Sequence, residues 1–245
     1  MFHGVGLFPH FLYYLSIHNL LYMKKFFLPA LAVLLLLTAF TSMQKKKVVF
    51  FGDSITEAGA KPGGYIMKIG EHATAEKLAD QYDLVGAGIG GNKVYDLYLR
   101  MDDDVMAKNP DVVFIYIGVN DVWHKRSYGT GTDADKFEKF YTAIIKKLQA
   151  KNIKIVLVTP AVVGERPDAS NELDGDLNFY SNIVRNLAKK NNLPLVDLRQ
   201  AFLDYNKKNN PDNKDSGILT TDRVHLNEKG NQLVADEMWK VLKTL

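Results

Sequence analysis

A serine that follows a short apolar run is the first residue in this sequence suited to chemistry. Ser54 stands in Gly52-Asp53-Ser54, directly after Val48-Val49-Phe50-Phe51. A serine hydroxyl is a poor nucleophile unless a base takes its proton and hydrogen-bond donors stabilise the resulting oxyanion. A strand-to-helix turn meets the second need in part, because N–H groups at a helix start have no intrahelical acceptor. The simpler alternative is a serine that caps a helix.

A base and its orienting acid are indicated near the C-terminus. After residue 42 the histidines are His72, His124 and His225, and Asp222 precedes His225 by three residues. At this spacing the carboxylate can accept a hydrogen bond from Nδ1–H, which fixes the tautomer and stabilises an imidazolium. A solvated acid before a helix-capping histidine is the alternative.

A second Asp-x-x-His segment, Asp121-x-x-His124, repeats this spacing. If its side chains met Asp222 and His225, two histidines and two carboxylates would be available to bind a metal ion. Spacing alone does not bring four side chains together. We therefore favour a surface or substrate-contact role for His124, and we expect no metal.

Two kinds of segment, short apolar runs and stretches with apolar residues at helical spacing, alternate along the chain and must position these residues. Short apolar runs predict five strands, and segments with helical spacing between them predict helices, so a parallel sheet covered on both faces is expected. Ligands bind beyond the carboxyl ends of such strands. Ser54, the glycine loop Gly86–Asn92 and Asn120 each follow a strand. The strands are expected at 48–51, 82–85, 112–117, 153–158 and 194–197, and the helices at 65–80, 94–105, 137–148, 177–187 and 228–242.

The glycine loop has a competing interpretation. Gly86-x-Gly88-x-x-Gly91 satisfies the dinucleotide-binding fingerprint between a strand and a helix. That interpretation leaves Ser54, Asp222 and His225 without a function, so we do not favour it.

Four segments together resemble the SGNH hydrolases, also called GDSL esterases and lipases. They are Gly52-Asp53-Ser54, Gly91, Gly118-Val119-Asn120-Asp121 and Asp222-x-x-His225, in the order that the family shows, within residues 48–242. The resemblance implies an α/β fold, a flavodoxin-like three-layer sandwich with a five-stranded parallel sheet. It also implies a serine esterase that needs no metal or organic cofactor.

The same resemblance assigns the site residues. It implies that Ser54 is the nucleophile, His225 the general base and Asp222 the acid that orients it. The oxyanion hole would consist of the backbone N–H groups of Ser54 and Gly91 and the side-chain amide of Asn120.

The N-terminal residues predict export. A signal peptide is predicted from about Met23. It consists of the basic pair Lys24-Lys25, an apolar run from Phe26 to Phe40 and the small residues that follow. About 15 apolar residues are short for a membrane span, which needs roughly 20, although an uncleaved anchor is the alternative. We thus expect an extension with a signal peptide over 1–42, one domain over 43–245, and a secreted or periplasmic protein without stable membrane association. The chain contains no cysteine, which excludes disulfides and a lipoprotein anchor.

The net charge and the size of the mature domain limit the class of substrate that we expect. A net charge of +3 is too weak to indicate nucleic-acid binding. Export and a mature domain without an evident hydrophobic lid favour small acyl groups, chiefly acetyl, on a small-molecule or polysaccharide ester. A lysophospholipase-like or general short-chain esterase is the alternative, and a non-catalytic carbohydrate-binding module on the same fold is a further one.

Overall fold

A computed structural model describes residues 44–245, and a five-stranded sheet lies at its centre. All strands are parallel and run side by side in the order β2-β1-β3-β4-β5, so the predicted five-stranded parallel sheet is confirmed. The strands are β1 Lys46–Gly52, β2 Tyr82–Gly88, β3 Val112–Tyr116, β4 Lys154–Val158 and β5 Leu195–Val196.

The predicted signal peptide, with its start at Met23, lies outside the described residues. Lys45–Leu245 group as one unit, and the domain boundary after residue 42 stays a prediction. No helix within residues 44–245 is both long and apolar enough to span a bilayer.

Eight α-helices are found among the described residues. They are α1 Ser54–Gly59, α2 Tyr65–Ala75, α3 Val94–Asp104, α4 Val119–Ser127, α5 Ala134–Gln149, α6 Asp174–Asn191, α7 Leu198–Asn209 and α8 Glu228–Leu242. The predicted helix over 65–80 ends at Ala75 instead, and a short 3₁₀ turn at Ala79–Gln81 leads into β2.

Contacts of one strand show that the sheet is covered on both faces. Successive residues of a strand point to opposite faces. The ring of Phe50 packs against Tyr65 of α2, with centroids 5.9 Å apart, whereas the ring of Phe51 lies 4.6 Å from the guanidinium of Arg100 in α3. Helices α2 and α3 therefore lie on opposite faces, and the predicted three-layer sandwich is confirmed.

Apolar burial accounts for the sheet. Every residue of β3 and the last five residues of β1 are buried, as expected for parallel strands with helices on both sides. Burying a large apolar side chain contributes about 1.5–3 kcal/mol before the cost of ordering it. The strands also fix the site, because Gly52 at the end of β1 pairs with Gly88 in β2 and with Tyr116 in β3.

Candidate active site

Three segments meet at the carboxyl ends of β1, β2 and β3. Helix α1 begins at Ser54, the glycine loop continues from β2, and Asn120 lies in the first turn of α4. A Cβ atom built on Gly90 would lie only 3.9 Å from the Cβ of Ser54, so the glycine loop passes directly beside the serine.

A hydrogen-bonded chain joins the predicted serine, histidine and aspartate. The Oγ atom of Ser54 lies 2.9 Å from Nε2 of His225, and Nδ1 of His225 lies 2.7 Å from Oδ2 of Asp222. The other carboxylate oxygen of Asp222 accepts the backbone N–H groups of Val224, at 3.1 Å, and of His225, at 2.8 Å. The structure thus brings together the three residues predicted as nucleophile, base and orienting acid.

The electrostatic environment keeps Asp222 ionised. Partial burial opposes ionisation, but hydrogen bonds from the ring and backbone of His225 and from the backbone of Val224 outweigh it and hold the pKa of Asp222 below its usual range. A carboxylate in this position stabilises a proton on the neighbouring ring.

The helix-capping alternative for Ser54 is wrong. Asp53 is the N-cap residue of α1, and its Oδ1 atom accepts the N–H of Ile55 at 3.0 Å. Ser54 is the first residue of the helix proper, which leaves its hydroxyl to His225.

The three groups predicted to form the oxyanion hole lie in α1, in the glycine loop and in α4. The N–H of Ser54 belongs to the first turn of α1, where a helix offers no acceptor. Gly91 has a φ of +76° and open space where a side chain would stand. Asn120 is 3% exposed, and its amide nitrogen donates one hydrogen bond to the carbonyl of Asn92 at 3.1 Å, which leaves a second N–H for a ligand.

An arginine holds the glycine loop against the sheet. Arg100 donates from Nε to the side-chain oxygen of Asn92 at 2.7 Å, and from Nη2 to the carbonyls of Gly52 at 2.8 Å and Ala87 at 3.0 Å. One guanidinium thereby fixes the ends of two strands relative to the loop. The sequence does not indicate this role, because an arginine in a predicted helix is most often an exposed polar residue.

Two further side chains restrain the same loop. The carboxylate of Glu57 accepts the N–H of Gly90 at 2.8 Å, and the ammonium of Lys93 donates to the carbonyl of Gly91 at 2.9 Å. Lys93 is only 8% exposed although it is charged. Neither contact could be found from spacing, because each depends on how the loop folds back.

Two buried carboxyl groups lie behind the site. Burial raises the pKa of Asp53 to about 6, although its bond from Ile55 opposes the shift. Burial likewise raises the pKa of Asp121 to about 7, and Asp121 accepts the N–H of Val94 at 3.1 Å. Both groups favour the protonated form more than an exposed aspartate does.

Asp121→Asn should raise the free energy of unfolding, relative to that of the parent, by more at pH 8 than at pH 5. A raised native pKa contributes stability below the pKa of the unfolded chain, near 4, and loses it as pH rises through 7. An uncharged amide can still accept from Val94 and has no such loss. Each pKa unit is worth about 1.4 kcal/mol, so the relative gain should reach a few kcal/mol. Chemical unfolding at both pH values measures it, and a difference that is independent of pH would contradict the assignment.

The second Asp-x-x-His segment does not form a dyad. The carboxylate of Asp121 is bound to Val94, whereas the ring of His124 packs edge-on against Tyr128, with centroids 4.8 Å apart. Partial burial, with the nearby charge of Lys93, lowers the pKa of His124. Among residues 44–245, no three histidine, aspartate or glutamate side chains converge as the metal alternative requires.

The glycines of the dinucleotide fingerprint have a different role. Gly86 and Gly88 lie within β2, not in a strand-to-helix turn. A Cβ atom on Gly88 would come within 2.1 Å of the backbone nitrogen of Glu57, so this glycine permits α1 to pack against the strand. The predicted strand end at Val85 is therefore wrong by three residues.

Comparison with known proteins agrees with this geometry. Residues 50–233, more than half of the chain, match the model of the GDSL-like lipase/acylhydrolase family. An acetylxylan esterase from Geobacillus stearothermophilus is 30% identical over 206 residues, which cover 78% of this chain and 90% of that protein.

Two solved structures share the fold. The acetyl xylan esterase AlAXEase is 66% identical and superposes with a TM-score of 0.79 over 80% of this chain and 99% of its own. LAE5, an alpha/beta hydrolase enzyme from the metagenome of Lake Arreo, Spain, is 27% identical, with a TM-score of 0.72 over 81% and 95% of the two chains. The chain therefore belongs to the GDSL-like lipase/acylhydrolase family and is a carboxylic ester hydrolase.

Proposed function

We propose that this esterase is exported and removes acetyl groups from carbohydrates through an acyl-enzyme on Ser54. The observation that carries the mechanism is the hydrogen-bonded chain from Ser54 Oγ through His225 to Asp222, with distances of 2.9 and 2.7 Å. These lengths match a nucleophile in contact with its base and a base in contact with its orienting acid.

In the first half of the reaction, Ser54 Oγ attacks the ester carbonyl while Nε2 of His225 takes its proton. The negative charge on the carbonyl oxygen is stabilised by the N–H groups of Ser54 and Gly91 and by the amide of Asn120. The tetrahedral intermediate then collapses, His225 returns its proton to the leaving oxygen, and the sugar hydroxyl departs. The acetyl group remains bound to Ser54 Oγ as an ester.

The second half repeats these steps with water. His225 removes a proton from a water molecule, which attacks the acetyl carbonyl, and the same donors stabilise the new oxyanion. When the intermediate collapses, Ser54 leaves and recovers a proton from His225. Asp222 keeps the ring oriented and favours its charged form in both halves.

The choice of acetylated carbohydrate is supported by similarity. AlAXEase, at 66% identity, and the Geobacillus protein, at 30%, are both acetylxylan esterases. We expect acetate release from acetylated xylo-oligosaccharides, and p-nitrophenyl acetate to be cleaved faster than the butyrate and far faster than the palmitate. A preference for palmitate or for lysophospholipid would contradict the carbohydrate assignment and leave the serine chemistry intact.

Export is supported by the N-terminal sequence alone. The full-length chain should be processed when expressed in a bacterium with a Sec pathway, and the mature protein should begin near residue 42. N-terminal sequencing of the extracytoplasmic fraction tests this. An unprocessed protein retained in the membrane fraction would favour the uncleaved anchor.

Asn120→Ala should reduce kcat by about a hundredfold or more and leave KM nearly unchanged. The charge that the Asn120 amide stabilises develops chiefly in the transition state, and the loss of one oxyanion donor has this cost in other enzymes. Steady-state kinetics with p-nitrophenyl acetate measures both constants. A rise in KM with unchanged kcat would instead identify Asn120 as a ground-state contact.

A further inference from the structure

A buried carboxylate holds the segment that precedes Asp222 and His225. Glu165 lies in the loop after β4 and is 1% exposed. Its Oε2 atom accepts the N–H of Ile218 at 2.8 Å, and its Oε1 atom accepts those of Leu219 at 2.6 Å and Thr220 at 2.9 Å. Three consecutive backbone donors thus converge on one side chain, which is how a buried charge is stabilised without a cation.

These donors lead directly into the acid–base turn, which we define as residues Thr221–His225. The turn is closed at its base by an antiparallel bridge between Thr220 and Leu226 and by the N–H of Thr221 donating to the carbonyl of His225 at 2.8 Å. Glu165 therefore fixes the backbone of Thr220, the residue directly before the turn.

The backbone beside Glu165 contacts the same region twice more. The N–H of Gly164 donates to the carbonyl of Arg223, inside the acid–base turn, at 2.9 Å. The N–H of Glu165 donates to the carbonyl of Asp215 at 3.0 Å, and the Asp215 carboxylate in turn pairs with Arg223 at 2.9 Å. The Gly164-Glu165 dipeptide thus contacts Arg223 once directly and once through Asp215.

This support compensates for strain in the turn. Arg223 has a φ of +83°, a left-handed conformation that a residue with a side chain adopts only at a cost. Such a conformation persists when the surrounding contacts determine it. Here Asp222 and His225 stand on either side of Arg223, so a relaxed Arg223 would separate the two side chains or turn them away from Ser54.

We propose that Glu165 is a positioning residue for the reaction, which holds the acid–base turn so that His225 stays within hydrogen-bond distance of Ser54. The inference rests on the proposed function, because it takes His225 as the base. Glu165 lies behind the turn and acts on the rate of chemistry without a contact to the substrate.

Two substitutions of Glu165 remove graded parts of the support. Glu165→Gln keeps one oxygen that can accept from Leu219 and Thr220, but its amide group faces the N–H of Ile218 with donors only. Glu165→Ala removes both acceptor oxygens and leaves three buried N–H groups unpaired.

We expect kcat for p-nitrophenyl acetate to fall about tenfold in Glu165→Gln and about a hundredfold in Glu165→Ala, since a displacement near 1 Å can have this cost. KM should stay within twofold of the parent. The rate at which a fluorophosphonate labels Ser54 should fall in parallel, because this reaction also needs the base.

Two controls separate positioning from stability and charge. Leu242→Ala removes a fully buried side chain at the end of α8 and should lower Tm without changing kcat well below Tm. Glu172→Gln removes the charge of an exposed glutamate on the same loop, one that pairs with Arg126, and should leave both constants unchanged.

An unchanged kcat in Glu165→Gln, or an effect on KM alone, overturns the proposal. If Glu165→Ala does not fold, the Gln variant decides. Failure of the proposed function is recognised separately, since the parent enzyme would then resist fluorophosphonate labelling or Ser54→Ala would stay active.

Discussion

Ser54→Ala should abolish ester hydrolysis and leave the fold unchanged. Without the hydroxyl no acyl-enzyme forms, and in a well-studied serine hydrolase the loss of the nucleophile costs about a millionfold in kcat. The fold should persist because Asp53 caps α1, so the substitution removes no helix cap and introduces a good helix former. Initial rates with p-nitrophenyl acetate and thermal unfolding of both proteins measure the two effects.

The parent protein provides the matched control. Its Ser54 should be labelled by a fluorophosphonate with simultaneous loss of activity, and Ser54→Ala should take up no label. Retained turnover in Ser54→Ala would show that another group performs the chemistry.

His225→Ala should lose kcat by several orders of magnitude, whereas His124→Ala should lose less than tenfold. His225 lies 2.9 Å from Ser54 Oγ, and members of such a triad are costly to remove one at a time. His124 instead packs against Tyr128, whereas His225 has Asp222 as its carboxylate partner. Steady-state kinetics on the two single variants compares them directly, and an inactive His124→Ala beside an active His225→Ala would contradict the assignment.

The pH dependence of kcat/KM also distinguishes His225 from His124, and it can be measured on the parent and on His124→Ala, which should both be active. A histidine base acts only in its neutral form, so kcat/KM should rise with pH and level off once the base has lost its proton. Asp222 has a lowered pKa and stays ionised over this range, so it adds no second limb. His124→Ala should keep this profile. If the pH dependence of kcat/KM shifted in His124→Ala, His124 would take part in the reaction.

The sequence predicts the sheet well because its strands carry a strong signal. Val112 to Tyr116 is apolar throughout and buried on both faces, so its composition alone identifies a strand of a parallel sheet. The last helix, predicted over 228–242, is confirmed at Glu228–Leu242, where Asn227 caps its start.

Other elements escape prediction because their local signal is weak. Helix α7 buries only Leu198, Arg199, Phe202 and Asn206, and two of these four are polar, so no apolar stripe marks it. Helix α4 is short and begins inside the motif that carries Asn120, where the turn residues dominate the pattern. For α1, which is also short, the sequence indicates only the start of the helix at Ser54.

The same division holds at the site. Ser54, Asp222 and His225 could be proposed because their residue types and spacings are characteristic of a known chemistry, and the structure brings them into contact. Arg100 and Glu165 could not be proposed. Each acts through backbone groups far along the chain, and an N–H or a carbonyl has no signature in a sequence.

The most direct test of the account is to trap the acyl-enzyme. The enzyme is mixed with saturating p-nitrophenyl acetate or with acetylated xylo-oligosaccharide, quenched in acid during turnover, digested and analysed by mass spectrometry. We predict one acetyl group on the peptide that contains Ser54, and none on that peptide in Ser54→Ala. Steady hydrolysis with no acetyl group on Ser54, or with the acetyl group on another residue, would contradict the mechanism.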